Sequence, residues 1–207
     1  NLASFCNNLT TITLPSTLTT INGATVYGSK GAFQGCPKLT DILLTAPSDT
    51  NGKFPDSLTE IGAYAFSSCP GLTSITLPAN LEEIGYNAFS NCSNLELPSF
   101  PETLKKIGTE AFFRCKKDGT VTLHAGMSIG TLAFAQCDPV EINLPDEPCF
   151  FGDEVFLNNT HIAQFTFPDW MTEIPGGFCE AWNKLETIVL PAGVTEIGEK
   201  AFRGCTS

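Results

Sequence analysis

Basic residues are scarce in this 207-residue chain: 11 Lys and Arg stand against 22 Asp and Glu, for a net charge of −11 and a pI near 4.5. That charge repels phosphate backbones and anionic headgroups, so no nucleic acid partner is expected. No apolar run reaches the roughly 18 residues of a membrane-spanning helix, and no direct membrane insertion is expected of this segment. Histidine occurs only at His124 and His161, and HExxH, GxGxxG, GxxxxGK(S/T) and GxSxG are all missing. The usual signals of metal-dependent, nucleotide-binding and serine-nucleophile chemistry are therefore absent. Nine cysteines include no CxxC pair, which removes the close thiolate spacing of a structural zinc site. The expectation is a protein with no cofactor and no catalytic residues.

Against three Tyr and two Trp stand sixteen Phe, a bias that points to one unit copied many times. The segments CPGLTSITLPANLEEIGYNAFSN from Cys69 and CSNLELPSFPETLKKIGTEAFFR from Cys92 are both 23 residues long and match in phase. Eight units begin at Cys6, Cys36, Cys69, Cys92, Cys115, Cys137, Asn159 and Trp182, and a ninth breaks off after Cys205. Counting the Cys as position 1, apolar residues recur at 4, 7, 9, 13 and 16, with Gly at 17, Ala at 20 and Phe at 21. Position 16 is Ile in seven units and Phe151 in the other, while position 21 reads as Phe throughout, ending in Phe156, Phe178 and Phe202. Insertions around 22–31 and 46–57, rich in Gly, Ser, Asn, Pro and Asp, read as surface loops.

Within a unit, Leu72 to Leu77 ends in the apolar/polar alternation of a half-buried strand, and Pro78 stops it. Leu81 to Ile84 is a second short extended piece, closed by Gly85. One unit cannot bury its apolar side alone, but stacked neighbours bury a continuous core. The fold expected is mostly β: a solenoid of about eight 23-residue units with short strands and irregular or 3-10 turns, spanning 1–207 as one domain and truncated within a repeat.

The unit CxxLxxIxLPxxLxxIGxxAFxx resembles the leucine-rich repeats of BspA-like, or Treponema pallidum type, bacterial surface proteins, from Cys6 to Cys205. The resemblance implies a leucine-rich-repeat fold and a secreted or cell-surface location. It further implies adhesion to a host extracellular matrix protein, a glycan, another cell or another cell-surface protein. A structural spacer displaying a further domain is the alternative, and a polysaccharide-cleaving β-solenoid enzyme a less favoured one. Units six to eight depart from the pattern, with Asn159 and Trp182 in place of Cys and Pro175 in place of Gly, so stacking is expected to be least regular there.

Seven cysteines share position 1 and should form a buried thiol row; an odd total at equal spacing argues against a disulfide framework. Cys149 and Cys179 lie off that row in adjacent units, which leaves a disulfide between them open. Lys105, Lys106, Arg114, Lys116 and Lys117 form a basic cluster ahead of 138–186, where ten acids accompany only Lys184. A basic belt beside an acidic half is expected, and the belt is a candidate surface for sulfated glycan or an acidic protein patch. Asp146, Glu147, Asp153 and Glu154 offer a weaker calcium reading. Phe150 and Trp170 fall at positions where other units carry polar residues, so both are expected to be exposed; Trp182 and Met171 read as core. The candidate binding residues are Phe150, Trp170, Lys105, Lys106, Lys116 and Lys117.

Overall fold

Position by position, the repeat sets two rows of short parallel strands. The structure is a computed structural model that describes residues 4–23, 30–44, 53–116 and 118–207. Most of the two insertions and Lys117 lie outside the described residues. In the first row are β1 (Thr11–Leu14), β3 (Asp41–Leu44), β7 (Thr120–Thr122), β9 (Glu141–Asn143), β11 (Gln164–Thr166) and β13 (Thr187–Val189). In the second are β2 (Thr20–Ile21), β4 (Glu60–Ile61), β5 (Glu83–Ile84), β6 (Lys106–Ile107), β8 (Ser128–Ile129), β10 (Phe150–Phe151), β12 (Glu173–Ile174) and β14 (Glu196–Ile197). No helix occurs among the described residues.

Eight second-row strands match the eight sequence units, but they are not one sheet. Six coils form an uninterrupted parallel ladder in the order β10-β8-β6-β5-β4-β2, and β12 pairs with β14 separately. In the first row β7 pairs with β9 and β11 with β13, and nothing pairs β9 with β11. Both rows therefore part between the sixth and seventh coils, although the first row also carries no strand in coils three and four.

The core runs down the middle of the stack. Phe33, Phe66, Phe89, Phe112, Phe134 and Phe156 form a column of near-parallel rings with centroids 5.3–5.7 Å apart and interplanar angles of 20° or less. Phe178 meets Phe156 edge-on at 71°, so the column also ends at the sixth coil. The backbone shows why, and corrects the sequence frame. Phe66 N donates to Ala88 O, a bond from the Phe position to the Ala position of the next coil, and Cys179 N makes the same bond to Ala201 O. In coil seven Cys179 thus holds the Phe position and Phe178 the Ala position. Phe165 and Phe167 replace the usual Ile and Leu and pack with Phe178 and Trp182 around that exchange.

The thiol row is present, with Cys36, Cys69, Cys92, Cys115 and Cys137 buried and Cys6 and Cys205 half-buried. Four of these buried thiols have a hydrogen-bonding task. Cys69, Cys92, Cys115 and Cys137 donate Sγ–H to the carbonyls of Phe33, Phe66, Phe89 and Phe112 at 2.8–3.3 Å. Trp182 continues the row by another donor: its indole N–H reaches Phe156 O at 2.8 Å. Cys149 and Cys179 are free and buried, each with its own backbone context rather than a disulfide.

Burial pushes the Cys69 thiol up to about 12 from 9.0 and raises those of Cys92, Cys115 and Cys179 as well. An unfolded chain releases these protons near pH 9, whereas the fold holds them. The stability they contribute is complete below pH 9 and is lost as pH rises from 9 towards 12. We expect the denaturant midpoint to fall across that window, and a thiol reagent at neutral pH to reach Cys6 and Cys205 before any buried cysteine. Rapid modification of Cys92 or Cys115 in the folded protein would contradict this.

Candidate binding cleft

Glycine at position 17 sets how closely coils approach. A Cβ on Gly85 would lie 2.6 Å from Ala63 N, one on Gly108 2.6 Å from Gly85 C, one on Gly130 2.3 Å from Thr109 N and one on Gly152 2.5 Å from Thr131 N. Those distances leave no room for a side chain. The N–H of the same glycine ties the coils together: Gly85, Gly108, Gly130 and Gly152 donate to Ile61, Ile84, Ile107 and Ile129 at 2.7–2.8 Å. Coil seven has Pro175 here, which brings a ring to the contact and has no N–H to give. Coil seven cannot dock on coil six as the others dock, and the Phe151 carbonyl receives no bond from it.

The two coils stay joined a few residues further along, where Glu154 N donates to Gly176 O at 2.7 Å and Asn158 N to Glu180 O at 2.9 Å. Where the strands part, the two coils border a cleft of about 490 Å³. Phe151 and Trp170 stack in it with centroids 6.4 Å apart at 11°. Asp153, Met171, Glu173 and Pro175 also line it. Asp153 Oδ1 accepts from Gly176 N at 3.0 Å, and Phe150 stands at the rim, 70% exposed.

A polar clasp holds the start of coil seven. Asp138, almost fully buried, accepts hydrogen bonds from Thr160 N and from Thr160 Oγ1, the latter at 2.7 Å. His161 places Nδ1 3.0 Å from Asp138 and Nε2 3.1 Å from Asp118. Burial alone would raise the Asp138 carboxyl, but the Thr160 and His161 hydrogen bonds outweigh it and hold it below its usual range. Asn159, in place of the Cys, donates to Pro139 O and accepts from the backbone of His161 and Ile162. Sequence reading passed over this clasp. Its signal was that Thr160 follows Asp138 by 22 residues, the interval from Cys137 to Asn159, which stacks the two and brings His161 beside them.

The expected binding residues separate into two groups. Phe150 and Trp170 share the cleft, but Trp170 is half-buried rather than exposed: its ring lies on Phe151 and its N–H donates to Pro145 O at 2.8 Å. Trp182 and Met171 are core, as expected. The lysines do not form a free basic belt. Lys105 pairs with Glu82 at 2.8 Å, Lys106 with Glu83 at 2.7 Å and Lys116 with Glu96 at 2.6 Å, so acids of the preceding coil compensate them. Lys106 sits two strands from Phe150 on the same row, through Ser128. Lys117 lies outside the described residues. No group of three or more His, Cys, Asp or Glu among the described residues could hold a metal ion. A larger concavity, about 580 Å³ beside Ser93, Arg114, Gln136, Asn158 and Thr160, has no aromatic lining, and Arg114 Nε is committed to Gln136.

The model of the BspA type leucine rich repeat region matches in six copies over residues 3–53, 29–156 and 94–207. The chain belongs to the BspA type leucine-rich repeat family. The solved structure of a leucine-rich repeat protein from Bacteroides ovatus aligns with a TM-score of 0.68 at 27% identity, over 87% of this chain and 48% of that one. This BspA type chain thus spans about half the length of that relative. A leucine rich cell surface protein from Faecalibacterium prausnitzii aligns at 0.59 and 25% identity, over 97% of this chain and 59% of that one. The T. pallidum leucine rich repeat protein shares the fold at 0.62 and 22% identity, over 74% of this chain and 75% of that one. No curated protein matches the sequence.

Proposed function

We propose that this BspA type solenoid is a non-catalytic recognition module, secreted or held at a cell surface, that adheres to a host matrix protein, a glycan or a protein on another cell. The observation that supports it is the cleft between coils six and seven, where a large ring stands free at the rim. In coils one to six the second-row strands pair without a break, whereas Pro175 denies coil seven that contact and Phe150 is left 70% exposed. An exposed aromatic beside a concavity is the type of anchor that carries much of the energy at protein interfaces. The Faecalibacterium prausnitzii relative is named a cell surface protein, which supports the location proposed.

The test is a label-free binding screen of the folded chain against soluble matrix proteins and glycans. We expect at least one ligand whose affinity falls about tenfold in Phe150→Ala, with an unchanged melting temperature because the ring is solvated. Silence across the panel would favour a spacer role, and release of reducing sugar from any glycan would favour an enzyme.

A further inference from the structure

The parted strands leave backbone groups unused at a defined edge. In coils two to five the carbonyls of Thr59, Glu82, Lys105 and Met127 each accept an N–H from the next coil, as do those of Ile61, Ile84, Ile107 and Ile129. The equivalent carbonyls of coil six, Cys149 and Phe151, accept none from coil seven. The β10 edge that faces the cleft is thus an open strand edge within the stack, and an open edge is a template for another strand.

Charge at this edge has one sign. Asp153 and Glu173 line the cleft, no cation does, and the exposed Asp146, Glu147 and Asp169 lie close to it in sequence. None of these five carboxylates is in an ion pair among the described residues, whereas Lys105, Lys106 and Lys116 are all paired. The net negative field therefore concentrates on coils six and seven, and Phe150 offers a ring face to a cation there.

We propose that the cleft takes an extended peptide segment bearing lysine or arginine, which pairs its backbone with the free edge of β10 and sets its cations against Glu173 and the Phe150 ring. This rests on the reading of the cleft as a recognition site. A glycan fits less well, because sugar stacking needs open ring faces: Trp170 has one face on Phe151 and its N–H on Pro145 O. Only Phe150 is then free. A peptide backbone, by contrast, supplies the alternating donors and acceptors that the β10 edge lacks.

Fluorescence anisotropy with a short labelled peptide alternating lysine and threonine tests this. Its controls are the same peptide with alternate backbone amides N-methylated and one with glutamate for lysine. The lysine peptide should bind, more weakly as salt rises. N-methylation and Phe150→Ala should each weaken it about tenfold, and Glu173→Gln, at an exposed site, should weaken it and flatten the salt dependence. Equal binding of the N-methylated peptide would overturn strand pairing, and equal binding of the glutamate peptide would overturn the charge argument. If the lysine peptide fails while a matrix protein or glycan still loses affinity in Phe150→Ala, the site stands and its proposed occupant falls. If Phe150→Ala changes no binding at all, both fall.

Discussion

Gly108→Ala is expected to shift the denaturant midpoint sharply downward, by about 3 kcal/mol or more at unchanged slope. One added methyl would stand 2.6 Å from both Gly85 C and Tyr86 N, atoms of backbone that no side-chain rotation can move. The coils must separate to admit it. Separation stretches the Gly108 N to Ile84 O bond, now 2.7 Å, and the Lys105 N to Glu82 O bond, now 2.9 Å. It also opens the ring column between Phe89 and Phe112. Gly193→Ala is the control, since nothing lies within 4 Å of a Cβ there, and its effect should stay within about 0.5 kcal/mol. If both variants unfold together with the parent, close approach at position 17 is not what spaces the coils, and the account of Pro175 fails with it.

Phe112→Ala should cost about 3–5 kcal/mol. Its ring is fully buried between Phe89 at 5.4 Å and Phe134 at 5.7 Å, with Phe100 meeting it edge-on at 5.7 Å. Removing it leaves a void bounded by rings that are themselves fixed by the next coils, so collapse to fill the space is restricted. Phe202→Ala, at a half-buried ring in the last coil, should cost clearly less. Chemical denaturation of the two variants side by side checks the ordering; equal losses would mean that the column is not the source of stability.

The repeat frame was legible because core positions recur and each recurrence is an independent reading of the same physical demand. Coil seven was misread for a related reason. Phe178 follows Asn159 at the same interval as Phe134 follows Cys115 and Phe156 follows Cys137, and that match hid the exchange of Phe178 and Cys179 between the Ala and Phe positions. The bonds of Gly177 N to Glu199 O, Cys179 N to Ala201 O and Ala181 N to Arg203 O reveal it. The ion pairs of Lys105, Lys106 and Lys116 escaped notice because charge was summed along the chain. In a solenoid a side chain's nearest partners are one repeat away: Lys105 meets Glu82 and Lys106 meets Glu83, each across 23 residues. Trp170 was placed outward on the assumption of regular spacing, but the parted coils made room for its ring. Phe150, at a position whose side chain points away from the stack in every coil, came out as expected.

The joint between coils six and seven has a mechanical meaning. Within the first six coils tension passes from each coil to the next through the second-row ladder and the stacked ring column, so a pull along the axis is shared. At this joint no strand ladder carries the load, which passes through scattered bonds such as Glu154 N to Gly176 O and the Asp138, Thr160 and His161 clasp. Tension on the chain would concentrate there, and the first thing to yield would be the hinge that holds the cleft, ahead of the six-coil rod behind it.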